Sequence, residues 1–428
     1  MMYMQIFIHY CKTEGCKKAV KRGAKFLCGI ISGKKKIRLC HLLRFGSNVG
    51  STDISSNVYK APFQLLDVRN PKIFDNLAAY GRDTKPEKGA PLVWYIPNWL
   101  YWWGGGHLTL LRFAHLIEKL GMKTIIFVYD NHGWPTVQKL REDLDIACPG
   151  HTIKLETDIT KLPVGHIAVA SSWQSVFSVM EAPTPSERFY FMQEYESLLY
   201  PGGSQAEQAN ASYKMGFKGI TGGGWLRSIF ESYGGKAINY NFTVDKNVFY
   251  GTPEVRDHVK RLFFYGRPST DRRMYDMGVA VLQEIHNRWP DVEIIIAGLD
   301  GLSTLPFPVT YLGNMEVSKT GDLYRTVDIG LTFSGSNMSY LPVELMACGV
   351  PVLSNNGGQV EWFCKHKENA YLCYPFVSDF VRGFEELYNS KELRQKLATN
   401  GIEKIKETSW EQEAAKIHAH IVKEIGWA

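Results

Sequence analysis

The chain has 428 residues, which is too long for one compact domain and suits two or three. Hydrophobic residues make up 45% and charged residues 21%, which excludes disordered, collagen-like and small disulfide-stapled classes. The net charge of +6 is uneven: residues 1–60 hold twelve Lys/Arg against Glu14 and Asp53, a balance of +10, and the remaining 368 residues sum to −4, so no nucleic-acid partner is expected.

The N-terminal arm and its lead-in, residues 1–84, contain CKKAVKRGAKFLCGIISGKKKIRL. Val20, Ala24, Leu27 and Ile31 fall at helical spacing among Lys18, Arg22 and Lys25. Two readings follow: a basic amphipathic helix lying on an anionic membrane face, or a solvated tail. Gly23, Gly29 and Gly33 weaken such a helix. The apolar stretch FLCGII is too short for a signal peptide, and no apolar run reaches the length of a membrane span. Cys11, Cys16, Cys28 and Cys40 are spaced too irregularly for a zinc module. Eight cysteines without a CxxC pair fit a reducing compartment. The expectation is a cytoplasmic protein with peripheral contact to the inner face of the plasma membrane.

From Pro91 the pattern alternates between strand and helix. LVWYI (92–96) reads as a buried strand running through a Trp-rich turn into Gly104–Gly106. A helical pattern then carries Leu110, Phe113, Ala114 and Ile117 to Gly121. TIIFVYD, HIAVA (166–170), RFYFM (188–192) and KGIT (218–221) read as further strands. A second series follows, with RLFFYG (261–266), VEIIIAG, VTYLG, VDIGLTF and VPVLSN as strands. A short helix runs from Pro342 to Cys348, and the tail from Ser378 is helical, with Trp410 opening the last helix. This predicts an α/β chain of two doubly wound, Rossmann-like domains, residues 85–245 and 260–408, with helix 409–428 packing back on the first.

In such sheets ligands bind at the carboxyl ends of the strands. Three segments have that form. The amides of Gly104–Gly106 suit an anion or a sugar hydroxyl, or the glycines only make a tight turn. Arg267 and Arg272 in YGRPSTDRR suit the two phosphates of a diphosphate leaving group, or belong to a solvated loop. In SGSNMSYLPVELMACGVPVLSN, Pro342 is expected at the first helical position with Leu341 as the cap. That would leave the amides of Val343, Glu344 and Leu345 free for a phosphate. Glu344 lies in that first turn, where it could also simply pair with the helix dipole. Asp143 and Asp145 spell DxD within a predicted helix, and no metal site is expected.

ELMACGVPVLSN closely resembles the C-terminal signature of retaining GT-B glycosyltransferases of family GT4, E-x7-E followed by AMAxGxPV. The five-residue Arg267–Arg272 spacing matches that family's phosphate pair, and the resemblance covers roughly residues 90–425. GGGH (104–107), FMQEYESLLYPGGS (191–204), ITGGGWL (220–226), FYGRPS (264–269) and SYLPVE (339–344) resemble the WsaF-type rhamnosyltransferases. The resemblance implies a GT-B fold, a nucleotide-diphosphate sugar donor in the C-terminal half and an acceptor in the N-terminal half. It implies a retaining hexosyltransferase that moves L-rhamnose from dTDP-L-rhamnose to a glycan or lipid-linked glycan during surface-polysaccharide synthesis.

By the same resemblance Glu344 binds the ribose, Arg267 the diphosphate and Tyr340 the nucleoside or phosphate region. Two positions depart from the family pattern. Ser336 stands where E-x7-E has its first Glu, and Gln193-Glu194 stands where a His-Glu pair is usual. Donor-side residues are therefore Gly105, Gly106, Arg267, Ser336, Tyr340 and Glu344; acceptor-side residues are His107, Gln193 and Glu196. Arg267, Arg272 and Glu194 are the expected catalytic residues. Glu194 and Glu196 would position or deprotonate the acceptor, or serve the framework. With arginines supplying the positive charge, no metal or other cofactor is expected. The alternatives are another nucleotide sugar, a GT-B epimerase, or an inactive sugar-nucleotide-binding protein.

Overall fold

Seven parallel strands form the first sheet: β1 Leu92–Ile96, β2 Thr124–Val128, β3 Lys154–Glu156, β4 Ile167–Ala170, β5 Glu187–Met192, β6 Lys218–Gly222 and β7 Ala237–Tyr240. Their spatial order is β3-β2-β1-β4-β5-β6-β7. Six more parallel strands form the second: β8 Arg261–Tyr265, β9 Glu293–Ala297, β10 Thr310–Gly313, β11 Ile329–Thr332, β12 Val352–Asn355 and β13 Tyr371–Cys373, in the order β10-β9-β8-β11-β12-β13. In this computed structural model the described residues are 85–427 without 132, 183–184 and 299–304, all within one compact unit, residues 63–428. The basic arm and its expected membrane helix lie outside them.

Helices cover both faces, so a central strand such as β1 is buried at all five positions. That is why its sequence is a continuous apolar run and not an alternating one. Ser172 starts helix α3 (Trp173–Glu181; α1 is Gly105–Lys119 and α2 Val137–Ala147) by accepting from the Ser175 amide, and the Ser175 hydroxyl bonds back to the Ser172 amide. Three strands were not anticipated: β3, β7 and β13. Each has only three or four residues (KLE, AINY, YLC), too few for a period to show.

After α4 (Ser204–Ser212), α5 (Gly224–Ser232), α6 (Tyr275–Arg288), α7 (Val317–Tyr324), α8 (Leu341–Ala347) and α9 (Gly358–Glu361), the tail forms α10 (Val377–Asn389), α11 (Lys391–Lys406) and α12 (Trp410–Ile425). Helix α12 lies against α1 and β7, and the Trp410 ring sits 5.3 Å from Phe113. Tyr340, at the start of α8, stacks on Phe242 at 4.5 Å and on Trp410 at 5.7 Å. One apolar core therefore runs from Trp94 and Phe113 under the first sheet to Val343 and Leu345 beside the second.

A polar seam joins the halves above that core. Asn337, fully buried, donates through Nδ2 to the carbonyls of Gln193 and Gly222 (both 2.9 Å) and accepts from Trp362 Nε1 at 3.2 Å. Gly223 has φ +94°, and a Cβ there would lie 2.5 Å from the Trp362 ring. Gly223, the middle glycine of ITGGGWL, is thus needed for a backbone turned left-handed against an indole face.

Strand order reverses between β1 and β4 in the first sheet and between β8 and β11 in the second. The loops leaving these four strands flank the crevices in which ligands of such sheets bind.

Candidate functional site

The loop after β8 forms a 3-10 turn, Asp271–Arg273, which ends on Met274 with φ +47°. This uncommon left-handed residue opens α6 directly, so Arg272 and Arg273 sit side by side at the mouth of the crevice. Arg272 Nε donates to Glu194 Oε1 at 3.2 Å, and Arg273 Nη2 lies 3.7 Å from the same oxygen. Ser336 donates to Glu194 Oε2 at 2.6 Å. Glu194 comes from the loop after β5, so the first sheet inserts a carboxylate into the arginine loop of the second. The main chain holds this register: the Gly335 amide donates to the Arg272 carbonyl at 2.9 Å, and the Tyr195 amide to the Ser336 carbonyl at 3.0 Å.

Arg273 was not singled out in the sequence. It is mostly buried, its Nη1 makes no hydrogen bond, and burial lowers its pKa against the opposing pull of Glu194. A desolvated guanidinium with a spare donor is suited to anion recognition. Arg267, beside it, bonds only weakly to the Tyr265 hydroxyl, at 3.5 Å. The crevice thus gathers three guanidinium groups against one carboxylate.

The start of α8 corrects the expected cap. The helix begins at Leu341, Tyr340 is the cap residue, and Pro342 takes the second position. The Glu344 amide already donates to the Tyr340 carbonyl at 2.9 Å, so the set Val343, Glu344 and Leu345 reduces to Val343 as a free amide. The Glu344 carboxylate accepts from the Tyr324 hydroxyl at 3.4 Å. Burial pushes its pKa up to about 7, with the Tyr324 bond opposing. Glu344 is therefore more than a solvated partner of the helix dipole.

Two expected site residues belong to the framework. The Tyr340 ring fills the stack between Phe242 and Trp410, and its hydroxyl is buried beside Thr109 and Arg112. Glu196 is buried: one oxygen accepts from the Trp173 amide at 2.8 Å, the other from the Tyr190 hydroxyl at 2.8 Å. It caps α3 from inside the core, and burial raises its pKa to about 7. Glu194 and Glu196, two residues apart after β5, thus have separate partners, the arginine loop for one and the start of α3 with Tyr190 for the other. Ser336 is also fully buried, and its hydroxyl is committed to Glu194.

On the first sheet, Gly105 and Gly106 open α1 with Gly104 as a cap that offers no side chain. A Cβ on Gly105 would meet nothing within 4 Å, and one on Gly106 only Gln193 Nε2 at 3.8 Å, so the space around them is open. Gln193 Nε2 donates to the Gly106 carbonyl at 3.3 Å. His107 is held by its Nε2 donating to the Pro97 carbonyl at 3.2 Å, and burial lowers its pKa.

Asp143 lies buried in α2 and is taken up by Trp99 Nε1 (3.3 Å) and Lys139 Nζ (2.6 Å). Asp145 pairs with His151 at 3.1 Å. Among the described residues no three His, Cys, Asp or Glu side chains converge as metal ligands. A cavity of about 580 Å³ opens beside β3, between Ile125, Arg141, His151 and Pro163; the Asp145–His151 pair lines it, and none of the expected donor-side, acceptor-side or catalytic residues does.

Solved structures of the same architecture include sucrose-phosphate synthase from Thermosynechococcus elongatus (TM-score 0.61, 12% identity, 79% of this chain and 100% of that one). They also include Anabaena HepE in complex with UDP-glucose (TM-score 0.59, 14% identity, 78% and 99%) and WaaG, a glycosyltransferase of lipopolysaccharide biosynthesis (TM-score 0.55, 12% identity, 76% and 98%). The fold is GT-B. Within this GT-B chain, residues 260–384 match the family described as WsaF, C-terminal domain. The O-antigen biosynthesis protein RfbC of Myxococcus xanthus is 32% identical over 342 residues, 76% of this chain. The chain spans about a quarter of that relative's length (26%).

Proposed function

We propose that this chain is a retaining glycosyltransferase of the GT4 type that moves L-rhamnose from dTDP-L-rhamnose onto a glycan or lipid-linked glycan in surface-polysaccharide synthesis. The observation that carries the reading is the cluster of Arg267, Arg272 and Arg273 at the reversal of strand order in the second sheet. The WsaF-type C-terminal domain and the likeness to an O-antigen biosynthesis protein support the choice of chemistry.

In the reaction an acceptor hydroxyl oxygen bonds to the anomeric carbon as the bond from that carbon to the diphosphate oxygen breaks. The electron pair leaves with the diphosphate, whose oxygen takes the acceptor proton on the same face. Negative charge grows on the leaving group, so fixed guanidinium groups in a desolvated crevice lower the barrier more than they strengthen ground-state binding. Arg272 is engaged by Glu194, and a diphosphate competes for it. Displacement frees the Glu194 carboxylate at the boundary between donor and acceptor. Glu344 accepts from the ribose hydroxyls. No metal is required when three arginines supply the charge. The basic arm gives a cytoplasmic enzyme a peripheral hold on an anionic membrane, where lipid-linked acceptors reside.

The test is incubation of the full chain with labelled dTDP-rhamnose, UDP-glucose and GDP-mannose, with and without acceptor glycan. Transfer from dTDP-rhamnose with the anomeric configuration kept is the expected result. Turnover of another donor, or nucleotide binding with no transfer to any acceptor, refutes it.

A further inference from the structure

The loop from β1 to α1, PNWLYWWGGGH, exposes large apolar side chains where a buried sheet ends. Leu100 is 47%, Tyr101 52% and Trp103 46% exposed. The Tyr101 and Trp103 ring centres lie 5.2 Å apart, and Trp102 meets Trp103 edge-on at 5.9 Å. Trp134, from the loop after β2, adds a third exposed ring at 39%. The two loops are tied together: Asn98 Nδ2 donates to the Trp134 carbonyl at 2.8 Å, and the Asn98 amide bonds to Asp130. Three aromatic rings held in water where two neighbouring strands end are not a core that failed to close; such patches mark binding surfaces.

Position and charge together select the occupant. The patch runs into Gly104–Gly106, whose last carbonyl accepts from Gln193, and the next residue, Glu194, sits on the arginines. A ligand extended out of the crevice on the first-sheet side therefore crosses these rings. Segments 97–107 and 129–136 contain no Lys or Arg and one acid, Asp130. Neither an anionic lipid surface nor a nucleotide phosphate would find a Lys or Arg in these segments. Aromatic faces beside amide and imidazole groups suit an uncharged ligand with alternating C–H faces and hydroxyls.

We propose that Tyr101, Trp103 and Trp134 form a stacking platform for the distal sugar residues of a neutral glycan acceptor. This rests on the transferase reading above, and it makes the enzyme prefer an acceptor of several sugars over a single one. The rings bind without touching the reacting atoms, so they set acceptor affinity and not the chemical step.

The experiment is calorimetric titration of the full chain with dTDP, and then, at saturating dTDP, with a rhamnose tetrasaccharide. It compares wild type, Trp103→Tyr and the double variant Tyr101→Ala/Trp103→Ala; vesicles of phosphatidylglycerol and phosphatidylethanolamine form a separate arm. Equal dTDP isotherms in all three proteins report an intact fold. Tetrasaccharide affinity is expected to fall about tenfold or more in the double variant, which is about 1.4 kcal/mol, and to survive in Trp103→Tyr. Vesicle binding should be the same in all three. Unchanged tetrasaccharide affinity in the double variant, or no binding by wild type, overturns the platform. Loss of vesicle binding in the double variant assigns the rings to a membrane and overturns it as well. Failure of wild type to bind dTDP counts against the transferase reading instead, and the tetrasaccharide isotherm without dTDP then still decides the platform.

Discussion

The two sheets share one winding but end in opposite chemistries. At the carboxyl ends of the first sheet lie exposed aromatic rings, glycines and an imidazole whose pKa is lowered by burial. At those of the second lie three arginines and a carboxylate raised to about 7. Identical architecture therefore carries no information about the ligand; the loops do. A carboxylate that the first sheet sends across, Glu194, goes to the arginines of the second. In a transferase this division is what a charged donor and an uncharged acceptor require.

The strongest way to break the comparison is to remove an arginine. Arg267→Ala and Arg273→Ala should each lower kcat about a hundredfold or more while weakening dTDP binding much less, because the charge they meet grows as the bond breaks. Steady-state kinetics alongside calorimetry check this, and equal losses in both quantities would mean that the arginines only hold the ground state.

A second measurement contrasts the two carboxylates after β5. Glu196→Ala leaves the Trp173 amide and the Tyr190 hydroxyl unpaired in the core, at about 1–3 kcal/mol each, so denaturant unfolding should register a large loss of stability. Glu194→Gln, which keeps the shape and part of the acceptor capacity, should lower the unfolding midpoint less than Glu196→Ala does and reduce turnover. The wild-type curve has a further signature. Glu196 has a folded pKa of about 7, above its ordinary 4.5, so its contribution is full below pH 4.5 and is lost as pH rises through 7.

Glu344 gives a smaller effect with a clear sign. Its pKa of about 7 means that the charged acceptor form grows as pH rises from 6 to 8. Donor affinity should increase over that range, and Glu344→Gln should bind about tenfold more weakly at pH 8 with a flat profile. A parallel pH dependence in the variant would remove Glu344 from the site. The smallest effects are expected from Tyr340→Phe and from chelation. The stack on Phe242 and Trp410 survives loss of the hydroxyl, so nucleotide affinity should change less than twofold or so. Turnover should persist in EDTA; its loss, restored by magnesium, would show that the arginines need a metal partner.

The alternation of buried strands and amphipathic helices was legible in the sequence because each element carries its own period. Most long strands fall where their apolar runs do, and Trp410 opens the last helix as its pattern indicates. The Arg267–Arg272 loop and the Glu344 helix were legible too, since glycine, proline and charged residues mark strand ends locally. Only the tertiary structure decided what these residues meet. Nothing in SGSNMSY marks Asn337 as the fully buried joint between the halves, and Arg273 differs from Arg272 only once the loops pack. Tyr340 joins an aromatic core and Glu196 caps a helix from within, although neither neighbour is close in sequence. Periodicity reports how a segment folds against water, whereas desolvation and pairing of a single charge depend on other chain segments, 78 residues apart for Glu194 and Arg272, which come together only in the folded state.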